Sequence, residues 1–110
     1  QEAPMKGPTI NGIGMMWFKN ATQYADFMAI FEDAHVMPAT YSQWFKRANS
    51  LYEQFLRQGA FVVKVQTSPE EFTAWCARYG HRFNADGRVA FGSFKAMEKF
   101  NQANPSHEQP

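Results

Sequence analysis

The segment from Ser68 to Gly80 constrains the fold most strongly, because it contains a helix start, an apolar face and a helix stop. Ser68 is suited to cap the first free amides, Pro69 fits the first helical position, and Glu71 completes a capping box. The apolar face consists of four residues at helical spacing: Phe72, Trp75, Cys76 and Tyr79. Gly80 can adopt the left-handed conformation that ends a helix. The segment therefore predicts a helix that begins shortly after the strand predicted at residues 60–65.

Residues 60–65 give the clearest strand pattern in the chain. Val62, Val63 and Val65 are β-branched, and β-branched side chains favour a pleated sheet. Because this stretch is almost continuously apolar, it predicts a strand that is buried on both faces. The apolar run from Ile13 to Phe18 follows a glycine and predicts a second short strand.

Two further helices are predicted between these strands. Asn20 caps the first, which we expect to end within residues 34–37 because a proline follows. Its apolar face consists of Tyr24, Phe27, Met28 and Phe31. Thr40 and Gln43 form a capping box that begins the second and longest helix, and Gly59 ends it. The apolar face of that helix consists of Tyr41, Trp44, Phe45, Ala48, Leu51, Tyr52 and Phe55.

Residues 84–100 fit two interpretations. Asp86 and Gly87 could form the two-residue turn of a hairpin. Alternatively, Asn84 caps a last helix in which Gly87 and Gly92 each cost about 1 kcal/mol relative to alanine. The helical interpretation is favoured by an apolar residue at every third position: Phe91, Phe94, Met97 and Phe100. We therefore predict a helix.

The predicted order is strand, helix, helix, strand, helix, helix, which is an α+β fold with about four helices and a small two-stranded sheet. The length of 110 residues indicates one domain, which we assign to residues 13–100. Residues 1–12 are expected to be a flexible arm or a remnant of added sequence, and residues 101–110 a flexible tail. Since two strands alone are marginal and the chain carries 11 Phe, 4 Tyr and 3 Trp, we predict a homodimer that extends the sheet or buries rings.

The net charge of +1 gives no general attraction to nucleic acid, but the charges are unevenly spread. Residues 20–40 carry three acids and no Lys or Arg, and two of the acids, Glu32 and Asp33, lie near a predicted helix C-terminus. That position is unfavourable for carboxylates, so they are either a solvated pair or partners of a basic surface. The predicted basic patch consists of Arg78, Arg82, Arg88, Lys95 and Lys99. With the rings near it, this patch is the basis for a nucleic-acid-binding alternative, although no established binding motif accompanies it.

Cys76 and His81 are the candidates for nucleophilic catalysis, which needs an imidazole beside the sulfur. Cys76 lies on an apolar face, which favours a buried, inert thiol. The three histidines match no zinc spacing, so no catalytic residue, metal site or cofactor is predicted. A single cysteine fits a reducing compartment and no apolar run is long enough to cross a membrane, so we predict a cytoplasmic protein.

Three motifs resemble a group of small bacterial proteins of uncharacterised function. They are Pro38-x-Thr40-Tyr41-x-x-Trp44, then Phe72-x-x-Trp75-Cys76 ending at Gly80, then Ala85-x-x-Arg88-x-x-Phe91. The resemblance covers residues 13–100 and departs at Gly87 and Gly92. It implies a bacterial origin and no activity.

Together these features predict a small non-enzymatic accessory or protein-interaction domain that self-associates. A nucleic-acid-associated protein that uses the basic patch is the first alternative. A cysteine-dependent enzyme or redox protein that uses Cys76 and His81 is the second.

Overall fold

Two short parallel strands and four α-helices make up the part of the chain that the structure, a computed structural model, describes: residues 12–103. The elements in order are β1 (Gly12–Met16), α1 (Ala21–Met28), a 3-10 turn (Ala34–Val36), α2 (Tyr41–Arg57), β2 (Phe61–Val65), α3 (Pro69–Tyr79) and α4 (Ala85–Ala103). This confirms the predicted α+β class and element order. It also confirms a helix, rather than a hairpin, after Asn84. Residues 1–11 of the predicted N-terminal arm lie outside the described residues, and Gly12 begins β1. Residues 104–110 of the predicted tail also lie outside them, whereas residues 101–103 belong to α4.

The sheet lies between α2 and α4. Strands β1 and β2 pair in parallel, from Gly12 opposite Phe61 to Met16 opposite Val65. On one face, the ring of Phe100 in α4 contacts Phe61. The other face meets α2, since Lys64 lies over the ring of Tyr52. Each strand therefore has one edge paired and one edge turned away from its neighbour.

Two glycines allow α4 to cross β1 with backbone against backbone. A Cβ atom placed on Gly14 would lie 1.8 Å from the carbonyl oxygen of Gly92, and one on Gly92 would lie 2.3 Å from the carbonyl oxygen of Gly14. A Cβ on Gly87 would lie 2.0 Å from the carbonyl oxygen of Arg82. In the sequence, Gly87 and Gly92 weaken the predicted helix. In the fold, they allow it to pack.

The core is built largely from rings, which the sequence supplies as 11 Phe, 4 Tyr and 3 Trp. Phe18 is its centre, because its ring contacts Tyr24, Phe27, Phe31 and Trp44. The cluster continues through the fully buried side chains of Phe72, Cys76 and Phe91. Edge-to-face ring pairs of this kind add about 0.5–1.5 kcal/mol each beyond the area they bury.

The helix starts follow the predicted caps. The side chains of Asn20, Thr40, Ser68 and Asn84 each accept a hydrogen bond from a backbone N–H of the first helical turn. Thr40 and Gln43 form the complete capping box. Gly59 and Gly80 have the expected positive φ angles of 82° and 77°. These features could be predicted because each depends on a few neighbouring residues.

Glu71 departs from the prediction that it would complete a capping box with Ser68. Its carboxylate accepts a hydrogen bond from the Thr67 hydroxyl and pairs with Lys95 Nζ at 3.0 Å. These contacts hold the pKa of Glu71 below its usual value, the Thr67 hydrogen bond contributing most. The carboxylate thus joins α3 to α4 instead of closing the α3 cap.

Two other expectations about the elements are wrong. Helix α1 ends at Met28, earlier than residues 34–37, because the Glu32 amide donates to the Phe83 carbonyl at 2.8 Å, in the segment between α3 and α4, instead of continuing the helix. Strand β2 is not buried on both faces: Val65 is buried, but Phe61 is 40% exposed. In the sheet of the described residues, β2 pairs with β1 alone and therefore lies at an edge.

Candidate functional site

An apolar groove runs along the outer edge of β1. It has a volume of about 390 Å³. Its floor is Gly12–Met16, with Phe18 at one end. One wall comes from α2 (Trp44, Ala48, Leu51, Phe55), and the other comes from α4 (Arg88, Val89, Ser93). We call this surface the β1-edge groove.

The floor of the β1-edge groove presents strand backbone to the groove. The Trp17 amide donates to the Val65 carbonyl at 2.8 Å, which fixes the side of β1 that faces β2. Because successive peptide groups of a strand point to opposite edges, those of Ile13 and Met15 also face β2, and those of Gly12, Gly14 and Met16 face outward. Of these outward groups, the Gly14 carbonyl lies against Gly92 of α4. Within residues 12–103, no other strand pairs with that outer edge.

The groove walls hold large apolar side chains that the fold leaves partly open to solvent. Leu51 is 42% exposed and Val89 is 66% exposed. The predicted apolar face of α2 has seven residues, but only Trp44 and Ala48 of these are buried. A two-stranded sheet is too narrow to cover such a face, and the uncovered part forms the groove wall.

Arg88 is the charged residue of the groove, and it is already paired. Its guanidinium makes two hydrogen bonds of 2.8 Å to the carboxylate of Asp33, with side chains 16% and 21% exposed. The same guanidinium lies over the ring of Phe31. Hydrogen bonding from Arg88 holds the pKa of Asp33 below its usual value. The pair therefore joins the segment after α1 to α4 and leaves the groove with little net charge.

A second depression adjoins the groove on the α2 side. The two share four lining residues: Met15, Trp44, Ala48 and Leu51. The second has a volume of about 620 Å³, and its polar lining includes Lys46, Arg47, Ser50 and Gln54. We call it the cationic extension of the groove.

The outer edge of β2 differs from that of β1. Two depressions border β2, and the residues that line them include Lys64, Lys95 and Lys99. The ammonium group of Lys64 lies over the rings of Trp17 and Tyr52, at 4.5 and 4.4 Å from their centroids. Lysine on an edge strand is a common protection against pairing with another chain. β2 carries that protection, whereas the β1 strand Gly12–Met16 contains no charged residue.

Three members of the predicted basic patch are paired with carboxylates. Arg82 pairs with Glu32 at 2.8 Å, Arg88 with Asp33, and Lys95 with Glu71 and Glu98. Glu32 and Asp33, the acids that looked misplaced in the sequence, are thus partners of a basic surface within the same chain. Arg78 is exposed beside the Tyr79 ring, and Lys99 lines the β2 edge. Nucleic-acid binding by these residues stays a prediction.

Cys76 and His81 lie in different kinds of surroundings. The Cys76 side chain has no exposed surface, and burial raises the pKa of its thiol. Its sulfur lies 3.9 Å from the carbonyl oxygen of Arg82. The His81 ring stacks on Trp75 with 5.1 Å between centroids and 5° between planes. The thiol is therefore held as the less nucleophilic neutral form.

No known protein family, curated protein or solved structure matches this chain. Within residues 12–103, no helix is both long and apolar enough to cross a bilayer. In the same part of the chain, no group of three or more His, Cys, Asp or Glu residues is placed to hold a metal ion. The resemblance to small bacterial proteins also stays a prediction.

Apart from Arg88, a member of the predicted basic patch, the residues of the β1-edge groove are not among the sites predicted from the sequence. The sequence pattern places Leu51 and Phe55 on the apolar face of α2, and no pattern in the sequence marks Val89. The available signal was a mismatch between elements: the α2 face is broad, and the predicted sheet has two strands. That mismatch predicts uncovered apolar surface without locating it.

Proposed function

We propose that the protein is a non-enzymatic interaction domain that binds an extended segment of a partner protein along the free edge of β1. The observation that carries this proposal is the apolar groove whose floor is the outer edge of β1, which pairs with no other strand among residues 12–103. Strand addition uses such edges, because backbone hydrogen bonds supply affinity and alternate side chains enter apolar pockets. The single cysteine is a buried free thiol, which supports a cytoplasmic setting.

The chemistry of the groove supports binding over catalysis. The polar side chains in its lining are those of Arg88, which is paired, and Ser93. General acid–base catalysis and nucleophilic catalysis both need a titratable or activated group within reach of substrate. Apolar walls and a hydrogen-bonding floor match an extended peptide better than they match a reacting molecule.

An extended segment also fits the groove better than a second folded copy does. Adjacent strands lie about 4.8 Å apart, and α4 packs directly on β1 through Gly92. Two copies paired through β1 would therefore bring their α4 helices together at a similar spacing. Packed helices need about 8–10 Å. A segment without attached helices avoids this conflict.

The proposal is tested by selecting short random peptides from a display library on the full 110-residue protein. We expect enriched peptides to alternate apolar and polar residues and to bind in fluorescence polarisation. Leu51→Lys and Val89→Lys should each weaken binding about tenfold or more, since a charge enters the apolar wall. The matched controls are Leu56→Lys and Val36→Lys, whose parent side chains are 47% and 64% exposed outside the groove. Equal losses in both pairs, or no enriched peptide, would count against the proposal.

Amide hydrogen exchange adds a test that depends on the strand register. In the free protein, the amides of Ile13 and Met15 should exchange slowly because they donate to β2. The amides of Gly14 and Met16 should gain protection when the selected peptide binds, because they face outward. Binding that protects neither Gly14 nor Met16 would place the peptide elsewhere.

A second proposal, self-association, is favoured by a different surface. The α3–α4 aromatic patch consists of Trp75, Tyr79, Phe94 and Met97, of which the last three are 51%, 38% and 42% exposed. Trp75 contacts both Tyr79 and Phe94 through its ring. Its indole N–H is buried without a hydrogen-bond partner among the described residues. Contiguous exposed rings are typical of interfaces, so we assign the predicted homodimer to this patch.

A further inference from the structure

The cationic extension adds a charge pattern to the apolar groove. Lys46 and Arg47 are both exposed on α2 and line the extension. Among the described residues, no carboxylate pairs with either side chain. The lining of the groove and of its extension contains no aspartate or glutamate. No carboxylate of the described residues therefore neutralises the positive charge beside the groove.

This arrangement differs from that of three members of the predicted basic patch. Arg82, Arg88 and Lys95 each form an ion pair with a carboxylate of the same chain, which balances their charge. Lys46 and Arg47 instead flank an apolar depression that is continuous with the β1-edge groove. An unpaired charge beside an apolar binding surface attracts partners of opposite charge and repels others.

We infer that the segment bound in the β1-edge groove carries acidic side chains beside its apolar stretch, and that Lys46 and Arg47 bind them. This inference rests on the proposed function and adds the chemistry of the partner. The contacts are solvent-exposed, so each contributes a small amount that salt weakens. Their combined effect should be seen in selectivity between partners and in the salt dependence of binding.

The test uses two synthetic peptides with the same central stretch of alternating valine and threonine. One carries aspartates at both ends, and the other carries asparagines, so that they differ in charge and not in shape. We expect the aspartate peptide to bind the native protein about tenfold more tightly at low salt, and the difference to shrink as salt rises. The variant Lys46→Glu/Arg47→Glu should lose this preference and favour a third peptide with lysines at both ends.

The matched control is Arg57→Glu/Lys99→Glu, which changes the net charge by the same amount as Lys46→Glu/Arg47→Glu. Neither Arg57 nor Lys99 lines the β1-edge groove or its cationic extension. It should keep most of the preference for aspartate. If the two doubly substituted proteins lose the preference equally, overall charge explains it and the inference is wrong. If the native protein binds the aspartate and asparagine peptides equally well, the inference fails while the proposed function stands. If it binds none of the three peptides and the display library also yields none, the proposed function itself fails.

Discussion

Gly14 and Gly92 show how one missing side chain can set the position of a helix. Helix propensity alone disfavours glycine at position 92 by about 1 kcal/mol relative to alanine. The close approach of α4 and β1 reverses that preference, because any Cβ on either residue would overlap the backbone of the other. The crossing fixes where the α4 wall of the β1-edge groove lies. The two glycines therefore determine the position of the groove wall, although neither has a side chain that could line the groove.

The variant Gly92→Ala should destabilise the fold by about 3 kcal/mol or more, because the new methyl would lie 2.3 Å from the carbonyl oxygen of Gly14. Denaturant unfolding followed by circular dichroism measures this loss. The control is Ser93→Ala, the next residue on α4, which is exposed and should change stability by less than about 0.5 kcal/mol. A stabilised Gly92→Ala protein would mean that helix propensity dominates and that α4 does not approach β1 this closely.

Helix α2 illustrates what the sequence could and could not predict about an element. Its start at Thr40 and its stop at Gly59 follow from local hydrogen bonding and backbone conformation, so they were predictable. Which of its apolar residues are buried depends on how many strands lie beneath it, and that is a property of the whole sheet. Leu51 therefore has the sequence pattern of a core residue and the surroundings of a binding surface.

The same division between local and tertiary causes applies to α1 and to the charged residues. The end of α1 does not follow from the local sequence, because the bond from the Glu32 amide to the Phe83 carbonyl joins residues far apart in the chain. For Asp33, the sequence leaves open whether the carboxylate is solvated or pairs with a basic surface, and it does not identify Arg88 as the partner. The sequence shows the signs of such charges. Whether they pair within the chain or with another molecule depends on the tertiary fold.

Helix α3 offers a direct check on the cysteine-dependent alternative. Cys76 should react with a disulfide reagent at least about a hundredfold more slowly in the native protein than in denaturant, because its thiolate can form only in locally opened molecules. The measurement is the rate of absorbance change with Ellman's reagent at neutral pH. Rapid and complete reaction of the folded protein would instead indicate an accessible, activated thiol and would restore Cys76 and His81 as a candidate pair.

The molecule as a whole has two surfaces that its own elements leave uncovered. Among residues 12–103, no strand pairs with the outer edge of β1, and the strand contains no charged residue, whereas the β2 edge is protected by Lys64. On α3 and α4, the aromatic patch exposes rings that the small sheet and short helices cannot cover. A chain of 110 residues with 18 aromatic rings has more apolar side chains than its two-stranded fold can enclose. That excess explains why both surfaces exist, and their separate positions allow each to be tested alone.

Self-association through the aromatic patch predicts a dimer mass by multi-angle light scattering at micromolar concentration. Phe94→Lys and Met97→Lys should shift the protein toward monomer, because a buried lysine in an apolar interface is costly. Leu51→Lys should leave the dimer intact, since its side chain lies in the β1-edge groove. If Leu51→Lys alone abolished the dimer, the copies would be joined through the groove and the proposed peptide site would already be occupied. A native protein that is monomeric at these concentrations would refute self-association while leaving peptide binding at β1 open to its own test.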